Sequence, residues 1–206
     1  VGHNHQGNLD KALQLIRAAA ASGATAVKLQ KRNNKKLFTI EAYNEPYNSE
    51  NSYAEIYGLH REFLEFNEMQ YKELINYAKE IDIMFFATAF DLPSFEFLEK
   101  LDMPAYKIAS GDLTNTPLQA KIAQTKKPVL LSTGGGTFVD IRRAVENILK
   151  YNDDLVLFHC TASYPADVED MNLLVIPELI KLFPNITIGL SDHENGIDAA
   201  SIAYML

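Results

Sequence analysis

Ala105-Tyr106-Lys107-Ile108-Ala109-Ser110-Gly111-Asp112 runs from a short β-like segment into a polar turn that carries an amine, a hydroxyl and a carboxylate. Five other short apolar runs end in the same way. They are Val27-Lys28-Leu29-Gln30, Phe85-Phe86-Ala87-Thr88, Val129-Leu130-Leu131-Ser132-Thr133, Leu157-Phe158-His159-Cys160-Thr161 and Ile188-Gly189-Leu190-Ser191-Asp192-His193. Polar groups at the C-terminal ends of successive parallel strands are what a (β/α) barrel uses to build an active site.

Working outward, helical spacing alternates with these runs. Asn8 caps a helix marked by Leu9, Leu13, Ile16 and Ala20, and Asn67 caps one through Ile81. Helices are further expected over Leu92–Leu101, Pro117–Thr125, Phe138–Leu149 and Asn172–Phe183, with another from Asn195. Strands are expected over Ala26–Gln30, Met84–Thr88, Tyr106–Ala109, Val129–Ser132, Leu155–His159 and Ile186–Leu190. Such alternation implies right-handed crossovers and a parallel sheet. Lys31 to Tyr57 is polar and aperiodic, and reads as a long loop lying as a lid over the strand ends. The fold expected is α/β, a (β/α)₈ TIM barrel in one domain over 1–206, truncated at both ends: the first strand partial, the eighth βα unit absent. A doubly wound open sheet shows the same alternation. Polar residues at nearly every strand end, rather than at one switch point, favour closure.

The 206 residues are 47% hydrophobic, enough to bury a sizeable core. A net charge of −8 argues against a nucleic-acid or membrane-surface partner. One cysteine, Cys160, excludes an internal disulfide and suits a reducing, cytoplasmic setting. No run approaches ~18 apolar residues.

Side chains alternate along a strand, so Lys28 and Gln30 share the polar, mouth-facing side while Val27 and Leu29 face the helix layer. Lys107 adds a second ammonium, and Thr88, Ser110, Ser132 and Ser191 add hydroxyls. Together they form an anion cradle. Hydroxyls at strand ends also serve simply to satisfy loop backbone, but two strand-borne lysines favour a ligand. Ser132-Thr133-Gly134-Gly135-Gly136 lacks a P-loop's Gly-Lys-Ser/Thr ending, and its glycines fit a plain tight turn. Asp112 is placed to act on water or to cap the turn. Tyr164 binds sugar hydroxyls or packs, and His193 binds a metal, handles a proton or is structural. His159 sits deeper in an apolar strand and reads as core or as a support behind the site. His3 and His5 alternate, so either can face the mouth.

These stretches, with Asn4-His5-Gln6-Gly7, Tyr57-Gly58-Leu59-His60-Arg61, Thr114-Asn115, Ser163-Tyr164-Pro165 and Glu169-Asp170, resemble in order and spacing the sialic acid synthase family. That family condenses phosphoenolpyruvate with an N-acetylated hexosamine to a nine-carbon 2-keto acid. The resemblance implies that Lys28, Thr88, Lys107, Ser110, Ser132 and Ser191 hold phosphoenolpyruvate, and that Gln30, Asp112 and Tyr164 face the amino sugar, N-acetylmannosamine being expected. His193 is implied as one of two histidines on a divalent metal, Mn²⁺ or Mg²⁺. Asp112 stands where some members have Glu, and Ala162 where others have a polar residue. The second metal histidine, in a Glu-Arg-His context, and an antifreeze-like C-terminal domain that completes the site in a domain-swapped homodimer are not in these 206 residues. The chain alone is therefore expected to be inactive. A Schiff-base aldolase using Lys107, and a non-catalytic sugar- or phosphate-binding remnant, are the alternatives.

Overall fold

The computed structural model describes residues 1–206, which divide into two compact units, Val1–Pro104 and Ala105–Leu206. Both are α/β, with six strands shared two and four.

In the first unit, α1 (Leu9–Ala21) begins where Asn8 accepts the Lys11 N–H at 2.9 Å, and buries Ala12 and Ile16. β1 (Ala26–Lys31) pairs in parallel with β2 (Met84–Ala89), Lys28 beside Phe86 and Gln30 beside Thr88. α5 (Glu68–Glu80) starts on a capping box between Asn67 and Gln70, and α6 (Leu92–Lys100) on Asp91 with Pro93 in its first turn. All of β2 after Met84 is buried, the pattern of a strand covered on both faces.

The stretch after β1 departs from the expected irregular loop. It forms α2 (Asn34–Leu37) and α3 (Ile40–Asn44), then an antiparallel bridge from Pro46 to Ile56, before α4 (Tyr57–Phe63). Aromatic clustering, which leaves no periodic trace in sequence, holds it. The Tyr47 ring lies 4.5 Å from His60, Tyr53 stacks on Phe63 at 4.6 Å, and Phe38 meets Tyr57 edge-on at 5.2 Å. Gly58 sits so close beneath Tyr43 that a Cβ would fall 2.4 Å from its ring carbons. Gly58→Ala is accordingly expected to cost about 1–3 kcal/mol by overpacking, measured as a lowered urea midpoint. An unchanged midpoint would mean that α3 and α4 are not packed rigidly here.

The second unit repeats strand and helix four times: β3 (Tyr106–Ile108), α7 (Thr116–Ala123), β4 (Val129–Ser132), α8 (Phe138–Leu149), β5 (Leu155–Cys160), α9 (Val175–Leu182), β6 (Thr187–Ser191) and α10 (Asp198–Met205). The strands are parallel and lie in sequence order. α9 starts three residues later than the sequence suggests. A 3₁₀ turn at Val168–Asp170 comes first, and Asn172, at φ +47°, turns its amide back onto the Asp170 carbonyl at 3.0 Å.

Register sorts these strands into two faces. Tyr106, Ile108, Val129, Leu131, Leu155 and Leu157 are buried on one. Lys107, Leu130, Ser132, Val156, Phe158, Cys160, Gly189 and Ser191 share the other. On that face Lys107 of β3 reaches Ser191 of β6 at 3.0 Å, although three inter-strand spacings, about 14 Å in a flat sheet, separate their strands. The two side chains together do not span that gap, so the sheet curls inward around its polar face. This curvature favours the barrel over the open doubly wound sheet.

Candidate active site

The concave face gathers four of the expected ligand-holding side chains. Lys107 Nζ donates to Ser191 Oγ at 3.0 Å and lies 4.7 Å from the centroid of the Phe158 ring. Burial holds its pKa below the usual lysine value, with Cys160 opposing the shift. The aromatic face offsets part of that desolvation. Phe158 has room because its neighbour in register is Gly189, where a Cβ would come within 3.0–3.1 Å of the ring carbons.

Ser110 opens a 3₁₀ turn, Ser110–Asp112, and its Oγ accepts the Gly134 N–H at 3.0 Å. A Cβ at Gly134 would fall 2.9 Å from the Cys160 carbonyl and 3.0 Å from Ser110 Oγ, so this glycine permits a close approach of three strand ends. Gly135, at φ +75°, makes the tight turn itself. Thr133 is spent on structure, its hydroxyl donating to the Phe158 carbonyl at 2.9 Å. Ser132 differs: it is 3% exposed and its Oγ has no hydrogen-bond partner. An unsatisfied buried hydroxyl costs about 1–3 kcal/mol, a cost that a ligand's oxygen at the cradle would remove.

Asp112 is half-buried, and its Oδ1 accepts the Asn115 amide at 2.9 Å. Asn115 in turn caps α7 through the Leu118 N–H, and Gln119 donates to the Asp112 carbonyl at 3.0 Å. One carboxylate oxygen therefore ties this turn to the residue that caps α7, a structural use beside the turn-capping role expected as the alternative to catalysis.

After β5, Tyr164 is 72% exposed, and its ring lies 4.2 Å from the His193 imidazole, tilted by 52°. The Tyr164–Pro165 bond is cis. His159 is buried, its Nε2 2.6 Å from the Met171 carbonyl, which is the core role, one of the two expected of it. No three His, Cys, Asp or Glu side chains come together to hold a metal ion. His193 contributes one imidazole, so the residues present do not make a metal centre. A cleft of about 540 Å³ adjoins the cradle through Thr133 and Cys160, and is walled further by Phe138 and Ile141 of α8, Val175 of α9 and the loop residues that follow β4 and β5. None of Lys107, Ser110, Ser132 and Ser191 lines it.

In the first unit, Lys28 and Gln30 share a face of β1 and lie in register with Phe86 and Thr88, as the period of two requires. Thr88 is 1% exposed. The opposite face carries Lys31, whose Nζ lies 4.9 Å from the Phe97 ring and bonds Glu65 at 3.0 Å. Arg32, not singled out from the sequence, continues the Lys28–Gln30 row and donates to Gln30 Oε1 at 3.0 Å. The row of polar residues at i, i+2 and i+4 points to it, but runs past the end of β1.

His5 does not serve as a free mouth residue. It is 2% exposed, stacked on Phe66 at 4.3 Å, and its Nδ1 accepts the Gly7 N–H at 3.1 Å. Burial pulls its pKa down to about 4, with neighbouring His3 adding to the shift. The folded state thus keeps the ring neutral while the unfolded chain protonates it near 6.5. Stability contributed by neutral His5 is full above pH 6.5 and falls as pH drops toward 4. His5→Asn is expected to flatten this part of the stability–pH curve. An equally steep curve in the variant would place the acid sensitivity elsewhere.

Residues 15–206 match the NeuB family. The chain is 41% identical over 203 residues to the N-acetylneuraminate-9-phosphate synthase of Mus musculus, covering 98% of this chain and 56% of that protein. It is 36% identical over 211 residues to the N,N'-diacetyllegionaminic acid synthase of Campylobacter jejuni, covering 100% and 62%. The crystal structure of N-acetylneuraminic acid (sialic acid) synthetase from Leptospira borgpetersenii, in complex with citrate, superposes with a TM-score of 0.85 at 32% identity, over 98% of this chain and 66% of the other. The chain thus spans little more than half the length of the curated relatives it matches. With a match across nearly all its residues, and identities above 30% to relatives of one kind, the chain belongs to the NeuB family.

Proposed function

We propose that this chain forms the phosphoenolpyruvate-binding part of a synthase that condenses phosphoenolpyruvate with an N-acetylated hexosamine, giving a nine-carbon 2-keto sugar acid and phosphate. The observation that carries this reading is the Lys107–Ser191 contact of 3.0 Å on a concave face that also holds the unpartnered Ser132 hydroxyl. A partly dehydrated ammonium flanked by hydroxyls and a turn N–H is chemistry for a phosphate or carboxylate. Family membership supports the same ligand. The relatives' names include sialic and legionaminic acid synthases, so the acceptor is an amino sugar, with N-acetylmannosamine as our working choice.

In this mechanism C3 of phosphoenolpyruvate attacks the open-chain aldehyde, positive charge develops at C2, and water adds there. Phosphate then leaves from the tetrahedral intermediate. Lys107, with Ser110, Ser132 and Ser191, holds the anion; Lys28 and Thr88 of the first unit are assigned to it by resemblance. Asp112 orients or deprotonates the water, and Gln30 and Tyr164 bind sugar hydroxyls. A divalent metal would act as a Lewis acid on the aldehyde. Since His193 alone does not make a metal site, no step here is routed through one. The domain-swapped homodimer and cytoplasmic setting expected of the whole protein are part of this proposal. No helix is long and apolar enough to cross a membrane.

The test is phosphate release from phosphoenolpyruvate by the purified whole protein, which carries these residues together with the second metal histidine and C-terminal domain implied by the resemblance, dependent on N-acetylmannosamine, with the 2-keto acid identified by mass. Absence of product with any N-acetylated hexosamine sinks the reading. A Schiff-base aldolase stays in view for one reason, the depressed pKa of Lys107, which favours a nucleophilic amine. Borohydride trapping of a keto-acid adduct on Lys107 would select it over the condensation.

A further inference from the structure

The turn that carries Ser110 and Asp112 is held from behind by a side chain outside the reacting groups. Gln119, the fourth residue of α7, is 0% exposed. Its amide nitrogen donates to two consecutive backbone carbonyls, Asp112 at 3.0 Å and Leu113 at 2.7 Å. Its amide oxygen accepts from Asn147 of α8 at 3.2 Å, and Asn147 Nδ2 also donates to the Thr116 carbonyl at 2.9 Å. Only one direction of the Gln119 amide satisfies this set, with both donors on carbonyls and the acceptor on an NH₂ group. Asn147 therefore dictates which way Gln119 points.

The segment so held needs the support. Ser110–Asp112 is a single 3₁₀ turn, closed by the Asp112 N–H to Ala109 at 2.9 Å and the Leu113 N–H to Ser110 at 3.1 Å. Hydrogen-bond geometry in such turns is poorer than in an α-helix. Gln119 fixes the peptide planes on both sides of Leu113 from within the core. The first of those planes contains the Asp112 Cα, from which the carboxylate projects. Ser110 has a separate tie, its Oγ accepting the Gly134 N–H at 3.0 Å. The two site residues of this turn are thus held by different contacts.

Resting on the reading above, in which Asp112 orients or deprotonates the attacking water, we propose that Gln119 is a positioning residue for Asp112, aimed by Asn147. It acts through two backbone carbonyls, without touching substrate. Misplacing a reacting group by about 1 Å costs on the order of 10²-fold in rate, so a loosened turn shows in turnover before it shows in binding.

The experiment is a double-mutant cycle in the whole protein. It measures kcat, and KM for phosphoenolpyruvate at a saturating N-acetylated hexosamine, in the parent, Gln119→Met, Asp112→Asn and the double variant. Methionine keeps the length of the side chain and has no donor. In the parent background Gln119→Met should lower kcat about five- to fiftyfold with KM within about twofold. In the Asp112→Asn background, where no base remains to be misplaced, the further fall should be less than about twofold. Asn147→Leu leaves both Gln119 donors in place but frees their direction, and should lower kcat by a smaller factor in the same pattern. It takes the place of Gln119→Met if that variant does not fold.

Equal falls in both backgrounds, or an undiminished kcat in Gln119→Met, overturn the proposal. So does a raised KM with kcat unmoved, which would make the contact serve Ser110 instead. Amide hydrogen exchange reads the same contact without substrate. The Leu113 N–H should exchange at least about tenfold faster in Gln119→Met, with the β4 amides unchanged. If the protein condenses no hexosamine, faster exchange at Leu113 still upholds Gln119 as the holder of this turn while rejecting the reaction, and parental exchange there rejects the contact itself.

Discussion

Lys107→Met is expected to cripple phosphoenolpyruvate use while leaving the fold at least as stable as before. The functional half follows from charge. A charge-assisted bond to a bound oxyanion contributes on the order of 1.5–3 kcal/mol, so kcat/KM for phosphoenolpyruvate should drop by ten- to more than a hundredfold. The stability half follows from burial. The folded pKa of Lys107 lies below the unfolded value near 10.5, so between those two values the unfolded chain binds more protons and stability rises with pH. Below the folded pKa the cost of burying the ammonium is present in full. Methionine has a similar length and no charge to desolvate, and it can still lie against Phe158. A melting temperature equal to or above the parent's, together with lost phosphoenolpyruvate affinity, is therefore the expected pair. Retained affinity would remove Lys107 from the cradle. A sharply lowered melting temperature would make its bond to Ser191 structural. Lys28→Ala is expected to weaken the same substrate, on the strength of resemblance alone.

What the sequence makes legible is what repeats. Periods of two and 3.6 residues locate every strand and all the longer helices, because parallel strands and amphipathic helices bury side chains at those intervals. The face that carries Lys107, Ser132 and Ser191 follows from the same alternation. The 32–66 segment was hidden, since Tyr47, Tyr53, Tyr57 and Phe63 pack around His60 by three-dimensional proximity and not by spacing. His5 was ambiguous for a related reason: its neighbour Phe66 lies far along the chain, and only their stacking shows the imidazole to be core. Arg32 was missed because it lies just past the end of β1, where strand alternation no longer marks a residue, and only its bond to Gln30 shows that it keeps to that side. Ser132 could be named as a hydroxyl at a strand end, but its lack of a partner is a property of the fold.

Asp112→Asn should separate the two jobs that the structure and the proposed reaction give this carboxylate. One oxygen accepts the Asn115 amide at 2.9 Å, which ties the turn after β3 to the cap of α7, and an asparagine carbonyl can accept the same bond. The Asp112 backbone carbonyl, bound by Gln119, is untouched. The substitution therefore spares the anchor, and the melting temperature should stay near the parent's. What it removes is the second oxygen as a base, replaced by an amide that only donates. Turnover is expected to fall by roughly 10²-fold or more, the usual scale for loss of a general base, with phosphoenolpyruvate affinity retained. Asp112→Glu should keep most of the turnover, because the basic group returns one methylene farther out. Asp112→Ala, losing anchor and base together, should lower both melting temperature and rate. Were Asp112→Asn to turn over at the parental rate, the carboxylate would be an anchor for α7 alone, and the water would have to be handled by a group other than Asp112.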